Sequence, residues 1–194
     1  MQKILVPTDF SGLAENALKL AVDIGSNTDV EIYLVHFMDH PFGRTFNTTG
    51  EINTDNSESE LFTLQLARKN HQRLGELASR YNELVKINIQ IYDEDFDDGF
   101  KEYIDEQGID LAVIATTGEE SAEEFFTGNH TRKLIESASC PIISIKGDYA
   151  DYDFKHIVVG IDHQQDDDDN YALAAKYINK LADMVNGKLH LVHV

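Results

Sequence analysis

The sequence predicts an α/β fold in which a doubly wound, open sheet of five parallel strands is flanked by helices. Short apolar runs alternate along the chain with longer segments of helical periodicity, and this order gives crossover connections between parallel strands. Several of the runs are rich in β-branched residues without polar alternation, which is typical of strands covered on both faces. Helices are therefore expected on both sides of the sheet.

The first three elements are predicted to form a βαβ unit. Lys3 to Thr8 is an apolar run that ends in Pro7-Thr8-Asp9, the pattern of a buried strand that leads into a turn. Apolar residues then recur at helical spacing, namely Leu13, Ala17, Leu20, Ala21 and Ile24. Gly25-Ser26-Asn27 ends this helix, and Glu31 to Phe37 is predicted to be the second strand.

The middle of the chain supplies the next helix and strand. Residues 38–56 carry Pro, Gly, Asn and Thr without periodicity, which predicts a surface loop. Ser57-Glu58-Ser59-Glu60 is a capping box. It opens an amphipathic helix whose inward residues are predicted to be Leu61, Leu64, His71, Leu74, Ala78 and Tyr81. Val85 to Tyr92 is predicted to be the third strand.

Two further strands complete the predicted sheet. A short helix is indicated by Phe96, Phe100, Tyr103 and Ile104. The dense apolar run Leu111 to Ala115 is typical of a buried parallel strand. A loop, a helix from about Asn129 to Ser137 and a fifth strand, Ile142 to Ile145, follow.

Composition limits the kinds of partner. The chain has 35 acidic and 16 basic side chains and a formal net charge of −19, which repels nucleic acids and anionic lipids. No run approaches the roughly 20 apolar residues that span a bilayer, and no hydrophobic leader opens the chain. We therefore expect a cytoplasmic protein without nucleic-acid or membrane partners. The single cysteine, Cys140, is interpreted as a small buried hydrophobe.

The opening pattern returns near the end of the chain. His156 to Asp162 restates Lys3 to Asp9, and Leu191 to Val194 restates the second strand. Tyr171 to Asn179 matches the first helix once four extra residues are allowed in the acidic loop. Three matches in register predict a duplication, with one domain at 1–147 and a partial β-α-β copy at 154–194. Because a βαβ unit cannot cover both faces of its sheet, we expect a longer protein or a partner to cover it.

Several segments together resemble the universal stress protein family. They are Ile4-Leu5-Val6-Pro7-Thr8-Asp9-Phe10-Ser11 with Ala14 to Ala17, Leu34-Val35-His36, Asp110-Leu111-Ala112-Val113-Ile114, and the turn Gly128-Asn129-His130-Thr131 that runs to Cys140-Pro141-Ile142. The resemblance implies a Rossmann-like, adenine nucleotide alpha hydrolase-like fold. It also implies a stress-response regulatory protein of the tandem type with an incomplete second domain.

The resemblance further implies a nucleotide site. Nucleotide-binding members carry Gly, two residues, Gly, nine residues, Gly and then Ser or Thr. Here the window reads Ala115-Thr116-Thr117-Gly118, nine residues, Gly128-Asn129. The implied ligand is ATP or AMP with magnesium. The implied binding residues are Pro7, Thr8, Asp9, Val35, Ala115, Thr117, Gly118, Gly128, Asn129, His130 and Thr131.

The window departs from the family pattern at two of its four positions. Ala115 adds a methyl group and Asn129 replaces a hydroxyl, although asparagine still caps a helix. Glu119-Glu120 and Glu123-Glu124 place four carboxylates in the loop that would enclose the phosphates, where they repel a triphosphate unless a divalent cation intervenes. Two alternatives stay open here, a degenerate nucleotide site and an acidic connector that retains only the helix cap.

Other features are interpreted structurally. Asp166 to Asp169 is expected to be a solvated acidic loop, and His36 and His193 are expected to be partly buried, hydrogen-bonded side chains. The sequence contains no nucleophile elbow, HExxH motif or Walker loop. We therefore expect no ordinary enzyme, with slow ATP hydrolysis left open.

Pairing is expected at the edge strand Ile142 to Ile145, with a second copy or an intramolecular tandem partner. The alternative function is a nucleotide-free interaction module of the same fold.

Overall fold

The computed structural model describes residues 2–26, 28–38, 57–116, 134–147, 154–161 and 168–193. The predicted loop at 39–56 and the predicted start of a helix at Asn129 lie outside these ranges. The strands are β1 Lys3–Pro7, β2 Glu31–Phe37, β3 Lys86–Tyr92, β4 Leu111–Ala115, β5 Ile142–Ile145, β6 His156–Ile161 and β7 Lys188–His193. The helices are α1 Gly12–Gly25, α2 Ser57–Ser79, α3 Phe96–Gln107, the helical residues 134–137 (α4) and α5 Asp168–Val185.

The first five strands form one sheet in the order β3-β2-β1-β4-β5, and every pair in it is parallel. The predicted doubly wound open sheet is therefore confirmed. β1 lies at the centre, where Ile4 pairs with Ile32 of β2 on one side and with Leu111 of β4 on the other. The chain first moves outward through β2 and β3 and then returns across the sheet to β4.

Helices cover both faces of this sheet. Ile4, Val6 and Ile32 point toward α1 and α2 and belong to one buried apolar cluster. Leu5 and Phe100 belong to a second cluster on the opposite face, which α3 and α4 cover. The two clusters explain why β1 and β4 are buried along almost their whole length.

Local sequence signals fix the ends of the helices. The Ser11 hydroxyl accepts a hydrogen bond from the Ala14 amide (3.1 Å) at the start of α1, and the Asp95 carboxylate accepts one from Asp98 (3.0 Å) at the start of α3. Gly108 ends α3 in the left-handed conformation, with φ of 60°.

Two predictions are wrong, one about a side chain on α2 and one about the start of α5. His71 is exposed on α2 rather than inward, because the buried stripe of this helix runs through Asn70, Leu74 and Ala78. The acidic run near residue 168 is not wholly a loop, since Asp168 begins α5.

β6, α5 and β7 form a second βαβ unit, in which the two strands are parallel. α5 contacts α1, and Phe154, Leu181 and Val185 pack against the apolar cluster beneath α1 and α2. The buried Asn16 side chain also donates a hydrogen bond to the Gly147 carbonyl (3.1 Å) ahead of the unit. One side of the second unit therefore docks on the first domain of the same chain.

Within the described ranges, no helix has the combination of length and apolar character that a membrane crossing requires.

The packing of α3 can be tested with two phenylalanines. Phe100 is 0% exposed, so Phe100→Ala is expected to lower the free energy of unfolding by about 3–5 kcal/mol. Phe62 is 67% exposed, and Phe62→Ala is expected to change it by no more than about 0.5 kcal/mol. Urea unfolding followed by circular dichroism measures both. Equal losses in the two variants would contradict the assignment of Phe100 to the core.

Candidate functional site at the carboxyl edge of the sheet

The sheet contains a crevice where the direction of winding reverses. β1 connects to β2 on one side, whereas β4 lies on its other side and connects onward to β5. α1, which follows β1, and α4, which follows β4 along the chain, pack on opposite faces of the sheet, so the switch point lies between the carboxyl ends of these two strands. Ligands of open α/β sheets bind at such a position.

The loop after β1 is held by short side-chain hydrogen bonds. The Thr8 amide donates to the Val35 carbonyl (2.8 Å), which continues the ladder one residue beyond the strand. The Thr8 hydroxyl accepts from the Phe10 amide (3.0 Å), and an Asp9 carboxylate oxygen accepts from the Ser11 amide (2.8 Å). Asp9 is thereby fixed at the crevice edge, directly before α1.

Phe10 adopts a backbone conformation that is unusual for a bulky residue. Its φ is 67°, in the left-handed region that normally favours glycine. The Phe10 ring lies 4.6 Å from the His36 ring, and the Arg73 guanidinium carbon lies 4.0 Å from the Phe10 ring centroid. These two contacts of the ring help to offset the backbone strain.

His36 ties the end of β2 to the loop after β1. Its Nδ1 lies 2.7 Å from the Thr8 carbonyl oxygen, which can only accept, so Nδ1 carries the hydrogen. Burial lowers the pKa of His36, and the charge of Arg73 lowers it further, against the opposing effects of the Thr8 hydrogen bond and Asp9. The imidazole is thus a neutral, structural donor, and the prediction of a partly buried, hydrogen-bonded His36 is confirmed.

The β4 side of the crevice begins at Thr116. Its amide donates to the Ile145 carbonyl (2.8 Å), and its hydroxyl donates to the same oxygen (3.2 Å). The Ala115 side chain is 4% exposed and belongs to the apolar cluster beneath α1. The extra methyl group of Ala115 therefore points into the core and does not narrow the crevice.

The predicted binding residues fall into two groups. Pro7, Thr8, Asp9, Val35 and Ala115 meet at the carboxyl ends of β1, β2 and β4. The Val35 side chain is buried, and its carbonyl already accepts the Thr8 amide.

The other predicted binding residues lie outside the described residues. They are Thr117, Gly118, Gly128, Asn129, His130 and Thr131.

Sequence reasoning missed Arg73 and the role of Phe10. Arg73 precedes the buried Leu74 on α2, and nothing in the local pattern shows that this helix brings its side chain over the β1 loop. The expectation for His193 is wrong in one respect, because this side chain is exposed. Cys140 is half-buried rather than fully buried, and burial raises the pKa of its thiol to about 11, which agrees with a structural role.

A separate groove lies between α2 and the ends of β2 and β3. Its volume is about 470 Å³; Met38, Ile89 and Ile91 supply apolar lining, and Arg68 and His71 also line it. The groove is distinct from the crevice at β1 and β4, because none of its lining residues comes from either strand.

Comparison with known proteins identifies the family. The model of the universal stress protein family matches residues 1–146. The chain belongs to this family. A universal stress protein of Methanocaldococcus jannaschii is 25% identical over 147 residues, which covers 75% of this chain and 82% of the relative.

Solved structures share the fold. The M. jannaschii protein MJ0577 superposes with a TM-score of 0.60 at 20% identity, covering 76% of this chain and 96% of that chain. A universal stress protein of Archaeoglobus fulgidus superposes with a TM-score of 0.69 at 16% identity, covering 98% of this chain and 66% of that chain. This second likeness includes the βαβ unit after residue 154.

Two further structures of the family contain a nucleotide. One is an A. fulgidus protein in complex with dAMP (TM-score 0.50, 19% identity, 75% of this chain and 98% of that chain). The other is a universal stress protein in complex with cAMP (TM-score 0.51, 13% identity, 75% of this chain and 96% of that chain). At these identities the likeness to this chain concerns the fold.

The lowered pKa of His36 predicts how stability depends on pH. As the pH falls below about 6.5, the unfolded chain takes up a proton before the folded chain does, so the folded state loses stability toward acid. His36→Gln removes this contribution. Between pH 7.5 and 5.5 the free energy of unfolding of the variant is therefore expected to fall less than that of the wild type. The exposed His71→Gln is the matched control and is expected to keep the wild-type slope. Urea unfolding at a series of pH values measures this, and identical slopes for wild type and His36→Gln would contradict the assignment.

Proposed function

We propose that this universal stress protein is a cytoplasmic regulatory protein that binds an adenine nucleotide, ATP or AMP with magnesium, in the crevice after β1 and β4. The observation that carries the proposal is the position of Asp9, which the loop hydrogen bonds hold at the point where the winding reverses. The dAMP and cAMP complexes of proteins with the same fold support an adenine ligand.

The described residues at the carboxyl edge of the sheet fit an adenine nucleotide. A half-buried carboxylate at Asp9 can accept hydrogen bonds from ribose hydroxyls. The resemblance assigns backbone contacts with the base to Val35, whose carbonyl oxygen already accepts the Thr8 amide. The resemblance assigns Gly118, Gly128 and Asn129 to phosphate; the two glycines would supply backbone amides without blocking side chains, and Asn129 would add a helix-capping amide.

Arg73 places a positive charge near a site that the sequence predicts to be acidic. Four glutamates follow Gly118 in a chain whose net charge is −19, and they disfavour a triphosphate. The Arg73 guanidinium stacks on Phe10, one residue from Asp9, and thus brings a fixed cation to the crevice edge. This cation, together with magnesium bound to the phosphates, supports nucleotide binding at an otherwise acidic site.

We infer a binding role rather than turnover. In the described part of the crevice, the side chains of Thr8, Asp9 and His36 make hydrogen bonds to the backbone of the loop after β1. The Arg73 guanidinium stacks on the Phe10 ring. These polar groups thus hold the loop in place. Binding of a nucleotide would cover the crevice edge and thereby change the surface that a partner meets.

The second candidate function is a nucleotide-free interaction module. β5 is the terminal strand of the described sheet, and Ser144 at its middle is exposed. The unpaired backbone groups of an apolar edge strand favour pairing with another strand. We propose that β5 joins two copies of the chain, or the two halves of a tandem protein, with or without nucleotide.

We also propose that residues 154–194 are the beginning of a second universal stress protein domain. The parallel pairing of β6 and β7 around α5 and the likeness of nearly the whole chain to a longer A. fulgidus structure support this arrangement.

Nucleotide binding is tested by thermal unfolding with millimolar ATP and magnesium. Wild type is expected to gain stability, by about 2.7 kcal/mol when the ligand is at 100 times its Kd. Arg73→Gln is expected to weaken binding by about tenfold, because it removes a charge-assisted contact. Arg80→Gln, directly after the same helix, is the matched control, since the Arg80 guanidinium pairs with Glu15 (2.9 Å) rather than stacking on Phe10, and it is expected to bind normally.

A wild-type melting temperature that millimolar ATP or AMP leaves unchanged would contradict the proposal and favour the nucleotide-free module. Equal losses of affinity in the two arginine variants would show that Arg73 acts only through overall charge.

Pairing through β5 is tested by a lysine at its exposed position. Ser144→Lys is expected to convert a dimer to a monomer, because a charge on the edge blocks strand addition. Asn88→Lys places the same charge on β3, at the opposite edge of the sheet, and is expected to leave the dimer intact. Light scattering coupled to size-exclusion chromatography gives the mass. A monomeric wild type, or a dimer that survives Ser144→Lys, would rule out this interface.

A further inference from the structure

The second βαβ unit has one covered face and one open face. Along β6, side chains alternate between half-buried positions on the α5 side and exposed positions on the other side. Val158 on the open side is 66% exposed, whereas Leu5, its counterpart in β1 by the sequence repeat, is 0% exposed. Val192 is 44% exposed, against 0% for Val35. The open face is therefore a sheet surface that in the first domain is core.

Two histidines meet on this open face. The register pairs His156 with Lys188 and Val158 with His190, so both histidines project on the same side from adjacent strands. Nδ1 of His156 lies 2.9 Å from Nε2 of His190, and the ring centroids are 5.1 Å apart. One nitrogen donates a hydrogen to the other, so a single shared proton joins two exposed imidazoles.

We propose that His156 and His190 form a site for a divalent first-row transition-metal ion, which binds between Nδ1 of His156 and Nε2 of His190. The hydrogen that lay between these nitrogens moves to the other nitrogen of its own ring, so both imidazoles bind as neutral ligands. Imidazole nitrogens are the usual protein ligands of Cu²⁺, Zn²⁺ and Ni²⁺. The inference is independent of the nucleotide proposal, because these two residues lie in the second unit.

The affinity order of the ions predicts which one binds best. The 2.9 Å separation of the nitrogens is that of a hydrogen-bonded pair, so both rings must turn before their lone pairs meet at one ion. Two metal–nitrogen bonds of about 2.0–2.1 Å then separate the nitrogens by about 2.9 Å at a right angle and by about 3.3 Å at a tetrahedral angle, so either geometry needs little movement of the strands. Cu²⁺ binds nitrogen ligands more tightly than Ni²⁺ or Zn²⁺. We therefore expect Cu²⁺ to bind best.

The residues on the open face of β6 and β7 determine how many ligands the protein supplies to the metal ion. The residues of β6 and β7 that alternate onto the open face are His156, Val158, Gly160, Lys188, His190 and Val192. Among the described residues, no three histidine, cysteine or acidic side chains converge on one point. The protein thus supplies two ligands, and water or the same pair from a second copy completes the coordination. Lys188 adds a positive charge next to the pair and weakens metal binding.

The test is a titration of the intact, metal-free chain with Cu²⁺, followed by calorimetry and by electron paramagnetic resonance. Saturable binding is expected, with hyperfine coupling to two imidazole nitrogens. His156→Gln and His190→Gln are each expected to weaken binding by at least about tenfold. Lys188→Gln is expected to tighten it. All three side chains are exposed, so the variants are expected to keep the wild-type circular dichroism spectrum.

His71→Gln is the matched control, because it removes an exposed histidine from α2 and is expected to leave Cu²⁺ binding unchanged. A stoichiometry of one ion per chain supports a water-completed site. One ion per two chains, with a doubling of mass on addition of metal, supports a site completed by a second copy. Binding that survives in the His156→Gln/His190→Gln double variant, or no saturable binding in wild type, would overturn the proposal.

Discussion

The pairing of β1 on both sides is the constraint on which the rest of the first domain depends. Its backbone bonds β2 along Lys3–Pro7 and β4 at Ile4 and Leu5. Because right-handed crossovers to the two sides place their helices on opposite faces, this pairing creates both apolar clusters. The same reversal creates the switch point between the carboxyl ends of β1 and β4, next to Asp9. Core and candidate site are thus two results of one arrangement.

Much of the fold could be predicted from the sequence, because its strands are dense apolar runs bounded by turn residues. β2, β4 and β5 begin and end at the predicted residues, and the four apolar residues predicted for α3 are all buried. The loop after β1 was placed correctly, since Pro7-Thr8-Asp9 ends the strand. The Arg73–Phe10 stack could not be predicted, because it depends on where α2 crosses the sheet. The docking of α5 on α1 has no local signal either, and the exposure of His193 depends on what covers its sheet.

The two βαβ units show how burial depends on covering elements rather than on residue type. Val35 of β2 is 0% exposed beneath its helices, and Val192, its counterpart in β7, is 44% exposed. The apolar strand pattern is the same, so the difference lies in the helices and strands that surround it. An open apolar face is costly in water. This cost favours association of the second unit with further protein, whereas the first domain already has both faces covered.

The central claim is that the loops after β1 and β4 form the ligand crevice. It is tested most directly by titrating isotope-labelled protein with AMP and recording backbone amide resonances by NMR. The account predicts saturable shifts concentrated at Thr8, Asp9 and Thr116, with little change at Ile89 and Ile91 in the groove beneath α2. Shifts concentrated at Ile89 and Ile91, or no shifts at saturating AMP, would contradict it.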